Sequence, residues 1–129
     1  MFPDLQEILR MIEAGKLVRK SMFAQLDCDA VLYARDSDPE FEGEWLRIHH
    51  QLMEQWGKSA GKNPIVEQLV EDIRRESFMI VTNATKNHEV ASYVSDDFEL
   101  FALASALGVT APFLETMWGD YCNHQIPVP

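Results

Sequence analysis

The chain has 129 residues, of which 47% are hydrophobic and 10% aromatic, and this is enough apolar material for one domain with a real core. Eleven lysines and arginines against 21 aspartates and glutamates give a formal charge of −10, which disfavours nucleic acid and anionic membranes as ligands. We therefore expect residues 1–129 to form a single domain whose partner, if charged, is basic.

Apolar residues recur every three or four positions in the first third of the chain, and this spacing predicts amphipathic helices. One helix is expected from near Pro3 to Gly15, and a second from about Lys16 into the low thirties. The polar residues 35–38 then break the pattern.

The next two helices are expected to begin with the same device, a capping side chain followed by proline. Asp38–Pro39 begins a third helix that ends within residues 57–62, and Asn63–Pro64 begins a fourth that ends around 84–87. Residues 78–82 have a strand-like composition, but no second strand-like segment exists for them to pair with. We therefore expect them to be helical.

The C-terminal third is predicted to contain the centre of the fold. Residues 88–94 are expected to form a short helix, and Asp96 then begins a capping-box pattern. The segment Phe98–Leu107 is apolar on every side, which is typical of a helix at the centre of a bundle, and a last helix begins at Pro112. We predict an all-α fold, a compact bundle of about five to seven helices around a central buried helix at about 96–107.

The histidines and cysteines do not have the spacing of a metal site. His49 and His50 are neighbours, which on a helix point about 100° apart, while Cys122 and His124 form one loose pair with no matching second pair. We therefore predict no metal and no other cofactor.

The N-terminal region resembles an amphipathic helix rather than an export signal, and no apolar run approaches the length of a membrane span. Without an export signal, Cys28 and Cys122 are expected to be free thiols in a reducing compartment. The predicted location is the cytoplasm.

Acidic residues are concentrated between Asp27 and Glu44, where seven acids accompany a single base, Arg35. A calcium loop counted from Asp36 is excluded because its sixth position would be Phe41 rather than glycine. Solvation and helix-dipole roles explain some of these acids, but their surplus favours a surface for a basic partner. The predicted binding residues there are Asp36, Asp38, Glu40, Glu42 and Glu44.

A second acidic region lies at the C-terminal end, where residues 87–129 contain six acids and no lysine or arginine. The acids at 96, 97 and 99 are explained by capping and by the helix dipole. Glu115 and Asp120 lack this explanation and share a helix with Trp118, although that aromatic residue is also suited to the core. Glu115, Trp118 and Asp120 are therefore additional candidates for partner binding.

The C-terminal third also carries a resemblance to known proteins. It contains the segment Ser92–Phe98, followed by Leu100, Ala106, Leu107, Gly108, Trp118, Tyr121 and Ile126–Pro127. With these residues it resembles the tail of small, acidic, helical bacterial proteins of uncharacterised or toxin-immunity type. The resemblance implies a protein made beside a toxin, usually a nuclease, which protects the producing cell by plugging or clamping that toxin.

These observations favour an intracellular binding protein, of immunity or antitoxin type, that neutralises a basic partner such as a toxin nuclease. The sequence contains no nucleophile elbow, no glycine-rich phosphate loop and no cysteine–histidine pairing with the spacing of a catalytic family, so an enzyme is disfavoured. One alternative is a helical enzyme or ligand-binding domain in which residues 98–107 line an apolar pocket and His49 or His88 supplies a polar contact. Another is a scaffold protein that forms a homodimer through an apolar face.

Overall fold

A computed structural model of the protein describes residues 2–59 and 63–129. Six α-helices and one short 3₁₀ helix, Lys20–Phe23, account for the secondary structure of these ranges, which contain no strand. The α-helices are α1 Leu5–Glu13, α2 Cys28–Asp36, α3 Pro39–Gly57, α4 Pro64–Thr85, α5 His88–Leu107 and α6 Pro112–Cys122. The predicted all-α bundle is confirmed, and residues 78–82 are helical within α4.

The predicted beginnings of α3 and α4 are confirmed down to their capping atoms. The Asp38 carboxylate accepts the backbone N–H of Phe41 at 2.8 Å, and the Asn63 side chain accepts that of Val66 at 3.0 Å. A proline occupies the first turn of both helices, where its missing N–H costs no hydrogen bond. The predicted end of α3 within 57–62 is confirmed, because the helix ends at Gly57 and Lys58 is its C-cap; residues 60–62 lie outside the described residues.

The predicted single helix from Lys16 into the low thirties is wrong. Leu17 and Val18 are fully buried in a non-helical segment, and α2 begins only at Cys28. The Asp27 side chain accepts the backbone N–H of Ala30 at 3.0 Å and thereby caps a new helix. The apolar spacing before Asp27 therefore reflects burial of loop and 3₁₀ residues, not a continuous α-helix.

The central helix is confirmed, but it begins at His88 and not near Asp96. Asn87 caps it by accepting the backbone N–H of Val90 at 3.1 Å, so residues 88–94 are its first turns and not a separate helix. The carboxylates of Asp96 and Asp97 face arginines on other helices, so they do not serve as caps. The capping-box pattern was therefore misleading, because nothing in the sequence breaks the helix there.

Helix α5 lies at the centre of the core and packs against each of the other five α-helices. Its fully buried side chains include Val94, Phe98 and Phe101, and the rings of the two phenylalanines are 5.4 Å apart. None of the helices in the described part of the chain is long and apolar enough to cross a membrane. Because α5 is central, side chains from several helices can converge on a polar residue of its buried face.

Candidate functional site

The one aspartate of α5 that is fully buried, Asp97, sits in a network of four donated hydrogen bonds. Both terminal nitrogens of Arg35 donate to its carboxylate at 2.8 Å, as a bidentate ion pair. The indole N–H of Trp45 donates at 2.9 Å and the hydroxyl of Tyr121 at 2.7 Å. This set of side chains, called the Asp97 network below, ties α2, α3, α5 and α6 together.

The electrostatics of the Asp97 network keep Arg35 and Tyr121 in the protonation states that their hydrogen bonds to Asp97 need. Burial by itself lowers the pKa of Arg35, but the charge of Asp97 and its hydrogen bonds outweigh burial and raise that pKa. Burial, followed by the negative charge of Asp97, raises the pKa of Tyr121 well above its usual value of 10.0. The arginine therefore stays charged and the tyrosine stays a donor.

An open groove lies above the Asp97 network, between α2, α3 and α5, with a volume of about 170 Å³. It is called the acidic groove below, and its lining residues are Arg35, Asp36, Phe41, Glu42, Trp45, Leu46, Tyr93 and Asp96. The Arg35 guanidinium carbon is 4.9 Å from the ring centre of Phe41 and 5.3 Å from that of Tyr93. Two aromatic rings of the groove therefore already contact one cation, the guanidinium of Arg35.

Three carboxylates, Asp36, Glu42 and Asp96, surround the groove and are called the rim carboxylates below. The Tyr93 hydroxyl donates to Asp36, and this hydrogen bond, then burial and the charge of Asp36, raises the pKa of Tyr93 to about 12. Burial raises the pKa of Asp96, although Arg74, 3.4 Å away, opposes the shift. The rim therefore presents negative charge beside aromatic surface.

The structure divides the predicted acids of the α2–α3 region into three groups. Asp36 and Glu42 line the acidic groove, whereas Asp38 caps α3. Glu40 and Glu44 are one turn apart on α3, and each lies about 200° around the helix from Glu42. Glu44 also forms an ion pair with the exposed Arg47. Only two of the five predicted residues therefore share the groove.

None of the predicted residues of α6 is among those that line the groove. Glu115 is exposed and accepts a hydrogen bond from the Thr110 hydroxyl at 3.2 Å. The ring of Trp118 lies 5.5 Å from Phe2 and 5.2 Å from Phe101, edge-on to both, so most of its surface packs on the core. Asp120 is half-buried near the end of α6.

Sequence reasoning missed Arg35, Tyr93, Asp96 and Asp97 as site residues, although two signals pointed to them. Arg35 is the single base among seven acids between residues 27 and 44, which suggests a dedicated partner. Asp97 lies in a helix that is otherwise apolar on every side, and a buried carboxylate there needs a cation or several donors. Combining the two signals would have predicted their ion pair.

His49 and the apolar centre of α5 form contacts within the fold. The ring of His49 stacks on Trp45 at 5.2 Å and lies 3.6 Å from Glu99. Among residues 2–59 and 63–129, no group of three histidines, cysteines or acids is placed to hold a metal ion. The ring of Phe98 lies 4.8 Å from that of Tyr121, and both side chains are fully buried in the core.

The sequence of the chain matches the model of a known protein family. The family model described as "Immunity protein PIM1" matches residues 7–128, which include every residue of the acidic groove and of the Asp97 network. None of the curated proteins matches the chain.

Proposed function

The chain belongs to the immunity protein PIM1 family, and on this premise we propose that it neutralises a basic toxin by binding it through the acidic groove and the first turns of α3. Family membership gives it an immunity-type function, which consists of binding a partner toxin. The basic character of the toxin and the location of the binding surface are the parts that we propose.

The observation that carries the proposal is the combination of charge and aromatic surface in the acidic groove. Two of its rim carboxylates, Asp36 and Glu42, form no ion pair with any lysine or arginine in the described ranges, so their charge faces outward. The exposed Leu46 lies beside them, with 46% of its surface accessible. Centres of protein interfaces combine apolar or aromatic anchors with a polar rim in the same way.

A nuclease is the toxin class that best fits this surface. An enzyme that grips phosphate presents lysines and arginines around its active site, and carboxylates on a helical protein can occupy the positions of those phosphates. The formal charge of −10 supports such a partner, because long-range attraction raises the rate of encounter. We propose that the complex forms in the cytoplasm of the producing cell, where such a toxin would otherwise cleave nucleic acid.

The proposed function is tested first in cells. A toxin domain identified in a gene adjacent to that of this protein is expressed in a host with and without this protein, and surviving colonies are counted. We expect survival only when both proteins are made, together with a stoichiometric complex on purification. A host that dies equally in both cases would contradict the proposed function.

The binding surface is tested by comparing three double variants of equal charge change. Asp36→Asn with Glu42→Gln should slow association with the toxin by about tenfold at low salt and flatten its salt dependence. Glu40→Gln with Glu44→Gln should have a smaller effect, because Arg47 already offsets Glu44. The control removes two exposed acids elsewhere, Glu13→Gln with Glu71→Gln on α1 and α4. Equal slowing by the control would contradict a role for this surface.

A further inference from the structure

The size of the acidic groove restricts what can occupy it. Sites for small molecules usually have volumes of about 300–1,000 Å³, whereas this groove has a volume of about 170 Å³ and is open on one side. Its occupant is therefore closer in size to one long side chain than to a metabolite.

The walls of the groove suit the stem and the flat head of such a side chain. Phe41, Trp45 and Tyr93 supply aromatic surface, and the partly exposed Leu46 supplies an apolar edge. Arginine is the charged side chain that stacks most readily on aromatic rings, because its guanidinium is planar and weakly hydrated. The molecule uses this chemistry once already, since Arg35 lies against two of these rings.

The charge of the groove selects a cation. The positive charge of Arg35 is matched by Asp97 beneath it, so the three rim carboxylates leave the mouth of the groove negative. Asp96 is half-buried, and its raised pKa reports that burial disfavours its charged form there. A cation beside it would relieve that cost. The two carboxylates of Asp36 and Glu42 are free of arginine and lysine partners within the described residues.

We propose that the acidic groove receives one arginine side chain of the partner toxin, with its guanidinium among Asp36, Glu42 and Asp96 and its stem against the aromatic walls. This inference rests on the proposed function for the identity of the partner. Its chemistry is testable without the toxin, because the groove is complete within one chain.

The test uses the full-length, ¹⁵N-labelled protein and the probe argininamide, with citrullinamide as an uncharged probe of the same shape. We expect saturable shifts of the Trp45 indole N–H signal and of the Tyr93 backbone signal with argininamide alone. Asp36→Asn with Glu42→Gln should weaken this binding by about fivefold. The remote pair Glu13→Gln with Glu71→Gln should leave it unchanged. Melting curves of both variants confirm that they are folded.

Three results would overturn the proposal. The first is the absence of shifts at the groove, and the second is an equal response to citrullinamide or an equal loss in the remote pair. The third is a dimer, detected by sedimentation, whose groove signals change on dilution, because a second copy would then be the occupant. Survival of the host with the toxin but no argininamide binding would reject only the proposal that the acidic groove receives an arginine. Argininamide binding without protection from the toxin would reject the proposed function but would still support an arginine site in the acidic groove.

Discussion

The Asp97 network and the rim carboxylates lie in the same part of the molecule, yet their carboxylates are in opposite situations. Asp97 is 0% exposed and accepts hydrogen bonds from three different side chains. Its sequence neighbour Asp96 has 45% of its side chain exposed and has one arginine partner at 3.4 Å. The carboxylate of Asp97 is therefore fully engaged within the fold, whereas that of Asp96 remains accessible to solvent.

This difference indicates how a very acidic protein can keep its charges for binding. Taking a carboxylate out of water is costly unless donors and a cation compensate for the lost hydration, and the Asp97 network supplies both. Asp36 and Glu42 are exposed and remain hydrated, so their charge requires no such compensation, whereas the half-buried Asp96 has Arg74 as a partner. Stability and binding should consequently respond to different substitutions within a few ångströms of each other.

The largest expected effect is that of Asp97→Asn. The substitution leaves the Arg35 charge buried without its counterion, and we expect the free energy of unfolding to fall by about 3 kcal/mol or more. Urea denaturation followed by circular dichroism measures the change. The double variant Arg35→Met with Asp97→Leu should recover part of the loss, because it removes both charges together. An unchanged denaturation midpoint in Asp97→Asn would show that the network is not structural.

A smaller loss is expected for Tyr121→Phe, which removes one of the donors to Asp97 and leaves the others in place. We expect it to lower the free energy of unfolding by about 1.5 kcal/mol, the lower end for a hydrogen bond to a charged group. The matched control is Tyr33→Phe, at a tyrosine with 74% of its surface exposed, where the change should stay within about 0.5 kcal/mol. Equal losses of unfolding free energy in the two variants would contradict the expected contribution of the buried Tyr121 hydroxyl.

The smallest expected effect on stability is that of Asp96→Asn. Loss of a capping aspartate would lower the free energy of unfolding, whereas we expect this substitution to leave it unchanged or to raise it slightly. Because the folded pKa of Asp96 is raised above its ordinary value of 3.8, the stability it contributes is present below that value and is lost as pH rises through the folded pKa. Near pH 7 the variant should therefore be as stable as the natural protein or slightly more stable, by about 0.5 kcal/mol or less. The difference in free energy of unfolding between the variant and the natural protein should narrow as pH falls toward about 4. A clear loss of stability in the variant at pH 7 would contradict this prediction.

The sequence predicted the fold well where local signals decide the structure. The caps Asp38 and Asn63, each followed by proline, defined the starts of α3 and α4, because the atoms that satisfy the first N–H groups lie three residues away. The same kind of reasoning failed at Asp96, whose carboxylate faces Arg74 from another helix. A cap and an ion pair place acids at the same sequence positions, and only the packing distinguishes them.

The candidate site was predicted only in part, for a related reason. Asp36 and Glu42 were found through the surplus of acids in one segment, but Tyr93 and Asp96 come from a helix more than fifty residues away. A groove between helices depends on how those helices cross, and that crossing has no signature in the spacing of any one of them. Asp96, one of the three rim carboxylates, was consequently assigned to helix capping, and the aromatic walls were not predicted to belong to a site.

On the proposed binding mode, the four hydrogen bonds at Asp97 also affect how the acidic groove meets the toxin. They hold the guanidinium of Arg35 and the indole of Trp45, two walls of the groove, in single orientations before any partner arrives. Side chains that are already immobilised lose little conformational entropy on association, so more of the contact energy remains as affinity. On the proposed binding mode, we expect this rigidity to slow the dissociation of the complex.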